Sequence, residues 1–238
     1  MDASLIAVAT ITWARTPLEE ERLRRSLELL AEVRLPVAVA DAGTVSTFTQ
    51  FLSHLPGFRV TVPSERGLVA QIVASIDLAA AVNTPFILYT EPDKSLFFER
   101  SLRAFIRRTA EHPGGRELGV ALASRSRESF DTYPPMQRYT EGVINHLCGA
   151  VVGAPGDYSY GPFIMTRALV RQLLTMRGHL GWGWRHFAFR AAHQLGLAVD
   201  HVTDEYPCPA DQHAEDDAER LHRMRQLSEN IAGLIEQP

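Results

Sequence analysis

The chain has 238 residues, enough to bury one substantial core, and its formal charge of -4 comes from 24 basic and 28 acidic residues. That balance carries no basic excess of the kind that marks a nucleic-acid or anionic-membrane surface. Cys148 and Cys208 are too few for a disulfide framework and lack metal-site spacing. No stretch approaches membrane-spanning length, and the short apolar run Leu5 to Ala9, preceded by Asp2, is no signal sequence. A cytoplasmic protein is expected.

Strand-like and helix-like segments alternate through the first half. Leu5 to Thr12 is a β-rich run; Leu18 to Val33 follows as a helix, with Leu23, Leu27 and Leu30 at helical spacing and Glu19, Glu20 and Glu21 in its first turn, where the dipole favours acid. The pattern then predicts a strand at Val37 to Ala40, an amphipathic segment at Val45 to Leu55 and a strand at Phe58 to Val62. A helix at Leu68 to Val82, a strand at Phe86 to Tyr89, a helix at Glu99 to Glu111 and a strand at Gly119 to Ala123 complete the series. Such alternation implies βαβ units and a mostly parallel, Rossmann-like sheet covered by helices. The second half is less regular. Gly142 to Leu147 reads as a helix, Gly153 to Pro162 as a loop, Phe163 to Met165 as a strand and Arg167 to Met176 as a helix. Gly181 to Gly183 leads into a helix ending near Leu195, followed by a strand at Leu197 to Val202 and a polar loop at Asp204 to Asp217. In a terminal helix from about Ala218, Leu221, Met224, Leu227, Ile231 and Leu234 form one stripe, suited to packing on the body or to a dimer seam.

Ligands of parallel sheets bind outside the carboxyl ends of the strands. The residues after each strand are therefore candidates: Trp13 and Arg15, Asp41, Arg66 and Gly67, then Glu91 and Asp93. Glu91 and Asp93, one residue apart at a strand end, supply the oxygen ligands that Mg²⁺ or Mn²⁺ takes alongside substrate phosphates. Asp41 suits a ribose hydroxyl or a simple turn with Gly43, and Gly67 opens a helix start to phosphate. Neither the Gly-rich dinucleotide loop nor the phosphate loop ending in Gly-Lys-Ser/Thr is present.

The order of Asp41, Gly67, Glu91-x-Asp93, Arg138-x-Thr140-Glu141, Gly156-Asp157-Tyr158, Trp182-Gly183-Trp184 and His213 resembles the GT-A glycosyltransferases. Within them the chain is most similar to the retaining glucosyl-phosphoglycerate synthase and mannosylglycerate synthase group. The resemblance implies a single GT-A domain over 1–238, with a nucleotide-sugar half at 1–123 and an acceptor half with the long helix at 124–238. It also implies a divalent metal, Mg²⁺ or Mn²⁺, held by Glu91, Asp93 and the late His213. Arg138 and Thr140 match the motif that contacts an anionic phosphoglycerate-like acceptor, and Gly156 and Asp157 match a Gly-Gly-Glu loop near the donor sugar. Three positions depart from the group: Glu91 replaces an aspartate, Asp157 replaces a glutamate, and no arginine follows His213.

On these assignments Trp13, Arg15, Asp41, Arg66, Gly67 and Glu91 bind a nucleoside-diphosphate sugar. Asp157 and Asp93 serve catalysis, Asp157 by steadying positive charge at the anomeric carbon or, in an inverting enzyme, as base. Arg138, Thr140, Gly156, Tyr158 and Trp184 face the acceptor, with Tyr158 and Trp184 each suited either to stacking or to the core. Two rivals share the sheet: a nucleotidyltransferase, for which Ala14 to Pro17 is a poor N-terminal loop, and a non-catalytic sugar-nucleotide binder.

Overall fold

The computed structural model describes residues 5–44, 46–111, 116–178, 180–213 and 215–237. Asp2 and Val45 lie outside them. The chain forms two compact units, Met1–Pro113 with Pro162–Arg177, and Gly114–Gly161 with Gly178–Pro238.

The first unit contains β1 (Ile6–Thr12), α1 (Pro17–Ala31), β2 (Val37–Asp41), α2 (Ser46–His54), β3 (Phe58–Thr61), α3 (Leu68–Ala80) and β4 (Phe86–Tyr89). A π-helical turn at Phe97–Ser101, α4 (Leu102–Thr109), β6 (Phe163–Thr166) and α7 (Arg167–Leu173) complete it. Its strands lie in the order β3-β2-β1-β4-β6. β3, β2, β1 and β4 are parallel, while β6 runs antiparallel to β4 with Phe163 opposite Tyr89. Every residue of β1 is buried, as expected for a strand covered on both faces. Thr16 caps α1 by accepting from the Glu19 amide, with Pro17 in the first turn. Leu27, Leu30, Phe48, Ile72, Ile76 and Phe105 are buried in the core.

Register shapes the carboxyl edge of this sheet. β1 pairs with β2 as far as Thr12 opposite Asp41, yet with β4 only as far as Ala9 opposite Tyr89. At about 3.3 Å per residue the edge therefore steps down by roughly 10 Å on the β4 side. Glu91 and Asp93 leave the sheet at this step. Gln71 on α3 donates to the carbonyls of Thr12 (3.2 Å) and Ala40 (3.4 Å), tying that helix to the same edge.

The second unit contains β5 (Leu118–Arg125), α5 (Arg127–Asp131), α6 (Pro135–Val152), α8 (Trp184–Gln194), β7 (Ala198–Asp204) and α9 (Asp217–Ile235). β5 and β7 pair in parallel. Patterning predicts only Gly142 to Leu147 as helix in the middle of this unit, whereas α6 has 18 residues. Pro135 in its first turn suits a helix start, and Gly153, in the left-handed region at φ 73°, closes it. Arg138, Thr140 and Glu141 are consequently helical instead of preceding the helix. α9 packs on the turn before α8 so closely that Gly183 and Gly233 meet backbone to backbone, and a Cβ on either would overlap the other. Of the α9 stripe, Leu234 is buried while Leu221 and Met224 are exposed.

Candidate functional site

Asp41 ends β2, and Trp13, Arg15, Arg66, Gly67, Glu91 and Asp93 follow β1, β3 and β4, so that all emerge at one edge of the first unit. Trp13 is 58% exposed, a large aromatic left in water, and the Arg15 guanidinium lies over its ring at 5.3 Å. Arg15 also grips Glu19 through Nη2 at 2.8 Å, which draws the exposed Glu19 carboxyl below its usual range. Arg66 and Gly67 are exposed at the start of α3, where Gly67 has φ 117° and open space around it. That dihedral is one other residues rarely adopt. Glu91 is largely buried and Asp93 is exposed on the same turn. Two carboxylates one residue apart are the oxygen donors that a hard divalent cation takes beside water and phosphate.

Asp41 departs from its expected ligand role. Its Oδ2 accepts from the hydroxyls of Thr12 (2.7 Å) and Thr44 (2.8 Å), and its Oδ1 from the amides of Gly43 (2.9 Å) and Thr44 (2.7 Å). Four bonds fill the lone pairs of a fully buried carboxylate, leaving none for a ribose. The turn alternative describes it. Thr44 Oγ in turn accepts from the Ala14 amide at 3.1 Å, so Asp41 joins the loops after β1 and β2 and sets the approach to Trp13.

In the second unit the main polar assembly is internal. Arg125, at the end of β5, has a side chain only 1% exposed. Its Nε and Nη2 donate to Asp157 at 2.6 and 3.0 Å, and Nη2 donates to Glu141 at 2.6 Å. The rings of Phe130, Tyr133 and Tyr160 surround the guanidinium at 4.7, 4.5 and 5.8 Å. Burial works against this cation, but the two carboxylates more than compensate and raise its pKa well above the usual value. Gln137 completes the set by donating to Glu141 at 2.9 Å.

Asp157 is thereby corrected from its catalytic assignment. Its oxygens also accept from Asn145 Nδ2 (3.0 Å) and from the amides of Arg125 (3.1 Å) and Ser159 (3.1 Å). Burial pushes its carboxyl upward, and the Arg125 charge and these bonds overcome that, bringing its pKa to about 2. A group so weakly basic and so fully bonded is a poor proton acceptor at neutral pH. Three acceptor assignments change as well. The Thr140 hydroxyl donates to the Met136 and Gln137 carbonyls, Tyr158 is buried with its hydroxyl on the Ala154 carbonyl, and Trp184 is fully buried. Each is a packing residue.

Arg138 stays half-exposed, 3.6 Å from Asp131. Gly156 lines an open recess of about 320 Å³ with Asn145, His146, Gly149, Ala150 and Pro155. His213 is exposed after the short turn Ala210–Gln212. Among the described residues, no three His, Cys, Asp or Glu side chains form a ready metal cluster. Also among them, no helix is long and apolar enough to cross a membrane. Sequence patterning does not single out Arg125, Asn145 or His201. A lone arginine ending a strand predicted to stop at Ala123 carries little signal; its partners lie 16 and 32 residues away.

No protein-family model and no curated protein matches the chain. Solved structures do. Glucosyl-3-phosphoglycerate synthase from Mycobacterium tuberculosis, in complex with Mn²⁺, uridine diphosphate and glucosyl-3-phosphoglycerate, is similar at TM-score 0.63 and 14% identity, covering 98% of this chain and 81% of that one. The same enzyme with phosphoglyceric acid gives TM-score 0.65, 14% identity and the same coverages. With Mg²⁺ and uridine diphosphate it gives 0.62 at 17% identity, covering 97% of this chain and 78% of that one. The chain therefore has the GT-A glycosyltransferase fold, an α/β architecture with a mostly parallel sheet flanked by helices.

Proposed function

We propose that this protein is a metal-dependent glycosyltransferase. It moves a sugar from a nucleoside-diphosphate sugar to a small anionic acceptor of glycerate or phosphoglycerate type, with retention at the anomeric carbon. One observation carries the reading. On a fold shared with enzymes crystallised with uridine diphosphate and Mn²⁺ or Mg²⁺, the β4 edge steps down, Glu91 and Asp93 leave it on one turn, and Trp13 stands exposed at the end of β1.

Glu91 and Asp93 would hold Mg²⁺ or Mn²⁺, and their oxygen-donor chemistry fits either ion. When bound, such an ion supplies Lewis-acid stabilisation of charge on a leaving diphosphate. Trp13 offers a stacking face for the base, and Arg15 and Arg66 offer hydrogen bonds to phosphate oxygens. At Gly67 the backbone amides that open α3 face an anion without a side chain in the way. Arg138 grips the acceptor's carboxylate or phosphate through its planar fork. The bond from the anomeric carbon to the diphosphate oxygen breaks as the acceptor hydroxyl attacks the same face, and its proton passes to the departing phosphate oxygen. No side-chain base is required, in keeping with an Asp157 already bonded to Arg125.

The test is a transfer assay with UDP-glucose and GDP-mannose against glycerate and 3-phosphoglycerate in Mn²⁺, with the product anomer read by NMR. An α-linked product from an α-linked donor is expected. Binding of a nucleoside diphosphate with no turnover of any pair would make the protein a non-catalytic binder. Pyrophosphate released from a nucleoside triphosphate would make it a nucleotidyltransferase.

A further inference from the structure

The second unit contains a histidine that the proposed transfer reaction does not use. His201, on β7, is wrapped by the loop that joins α6 to β6. Its Nδ1 lies 2.7 Å from Ser124 Oγ on β5, and that hydroxyl donates to the Asp157 carbonyl at 3.1 Å. With the hydroxyl proton directed to the carbonyl, Nδ1 carries the ring proton and donates to Ser124, a tautomer assigned from the network. Gly156 lies flat against the imidazole, so that a Cβ there would overlap three ring atoms. Tyr158 meets the same ring edge-on at 4.7 Å and 89°, and its hydroxyl folds back onto Ala154. Burial lowers the His201 pKa, against the opposing pull of Asp157, Asp200 and the Ala154 carbonyl.

The helix side of this loop is fixed independently. Asn145 Oδ1 accepts from the Tyr158 amide and from Ser159 Oγ, both at 2.8 Å, while its Nδ2 holds Asp157. Between the two clamps the backbone from Ala154 to Ser159 has little freedom. With Pro155, Gly156 brings this backbone to the recess lined on the α6 side by Asn145, His146 and Gly149.

We infer that His201, acting through Ser124, is a positioning residue: it is the template on which residues 154–158 fold, and it sets where Gly156 presents its backbone to a hydroxyl-bearing ligand. This rests on the proposed transferase function only for the identity of that ligand. Because preorganised backbone contributes to transition-state binding and displacements of about 1 Å are costly, loss of the template should appear as lost turnover.

Three variants and two readouts test the inference. Ser124→Ala removes one hydroxyl and should fold; His201→Phe keeps a ring but removes Nδ1; His201→Asn restores a donor near the Nδ1 position. In ligand-free protein, amide exchange at Tyr158 and Ser159 should rise at least fivefold in Ser124→Ala and His201→Phe and return toward wild type in His201→Asn. In the transfer assay, acceptor kcat/KM should fall at least tenfold in the first two, with UDP affinity unchanged. Unchanged exchange at both amides in Ser124→Ala and His201→Phe would overturn the inference. So would a uniform rise in exchange across the second unit, which would mark His201 as a general packing residue. If the wild type transfers no sugar at all, the proposed function fails, and the exchange data alone then decide the template's case.

Discussion

Two pairs of acidic side chains illustrate how differently the units use one chemistry. In the first unit Glu91 and Asp93 share a turn at a sheet edge, with Asp93 in water. In the second, Asp157 and Glu141 lie buried against one arginine whose side chain is 1% exposed. The first arrangement leaves Asp93 open to water, where an added cation can reach its oxygens. The second already contains its cation, so its carboxylates hold the fold. A Glu-x-Asp and a Gly-Asp-Tyr look equally functional as strings of letters, and the exposure of Asp93 against the burial of Asp157 separates them.

The largest effect expected from breaking this contrast is on stability. Asp157→Ala leaves Arg125 buried with one of its two carboxylates gone, and should cost about 3–5 kcal/mol in urea unfolding. A loss under 1 kcal/mol would mean that Arg125 has no need of this partner. Next is the acid side of the stability curve. His186 on α8 is fully buried, neither ring nitrogen has a hydrogen-bond partner among the described residues, and burial, aided by Arg185, lowers its pKa to about 3. The unfolded chain takes up this proton near pH 6.5 and the folded chain does not. Stability should therefore fall as the pH drops from 6.5 toward 3, by on the order of 4 kcal/mol from this residue. Below the ordinary aspartate pKa, protonation of Asp157 in the unfolded chain adds a further loss down to about pH 2. His186→Phe should flatten the slope above pH 4, and an unaltered slope would assign it to other groups.

Smaller effects belong to the exposed edge. Asp93→Ala should leave the melting temperature within about 2 °C, yet weaken UDP binding at least tenfold in Mn²⁺ and hardly at all in EDTA. A variant that keeps its Mn²⁺ response would remove this carboxylate from the metal. Trp13→Ala should weaken UDP binding about fivefold to tenfold in either buffer, as expected for the loss of one base-stacking ring. Equal affinity would leave Trp13 as an exposed aromatic without a base.

Most of the parallel architecture is legible in the chain because buried strands such as Phe86 to Tyr89 are short, apolar and bounded by breakers. Helix α6 is not. Its interior holds Gly142 and Gly149, and the polar run Arg138 to Glu141 hides its first turns, although Pro135 marks the start. Gly149 has a packing reason, since a Cβ there would crowd Pro155 at 3.3 Å. The edge residues Trp13, Arg66 and Asp93 are recognisable because each lies just past the carboxyl end of a predicted strand. Asp41 satisfies the same rule and is nonetheless a turn residue, because Thr12 and Thr44 supply hydroxyls that no spacing rule counts. The Arg125 assembly escapes for a different reason. It joins β5, α6 and the Asp157 loop across 16 and 32 residues of chain, a juxtaposition that only the fold creates.

Titration calorimetry of UDP, and of GDP in parallel, into the wild-type protein with Mn²⁺ or with EDTA tests the central claim most directly. Saturable one-to-one binding of at least one diphosphate, tightened at least tenfold by Mn²⁺, is the predicted result. Heats no greater than dilution for both nucleotides in both buffers would contradict it.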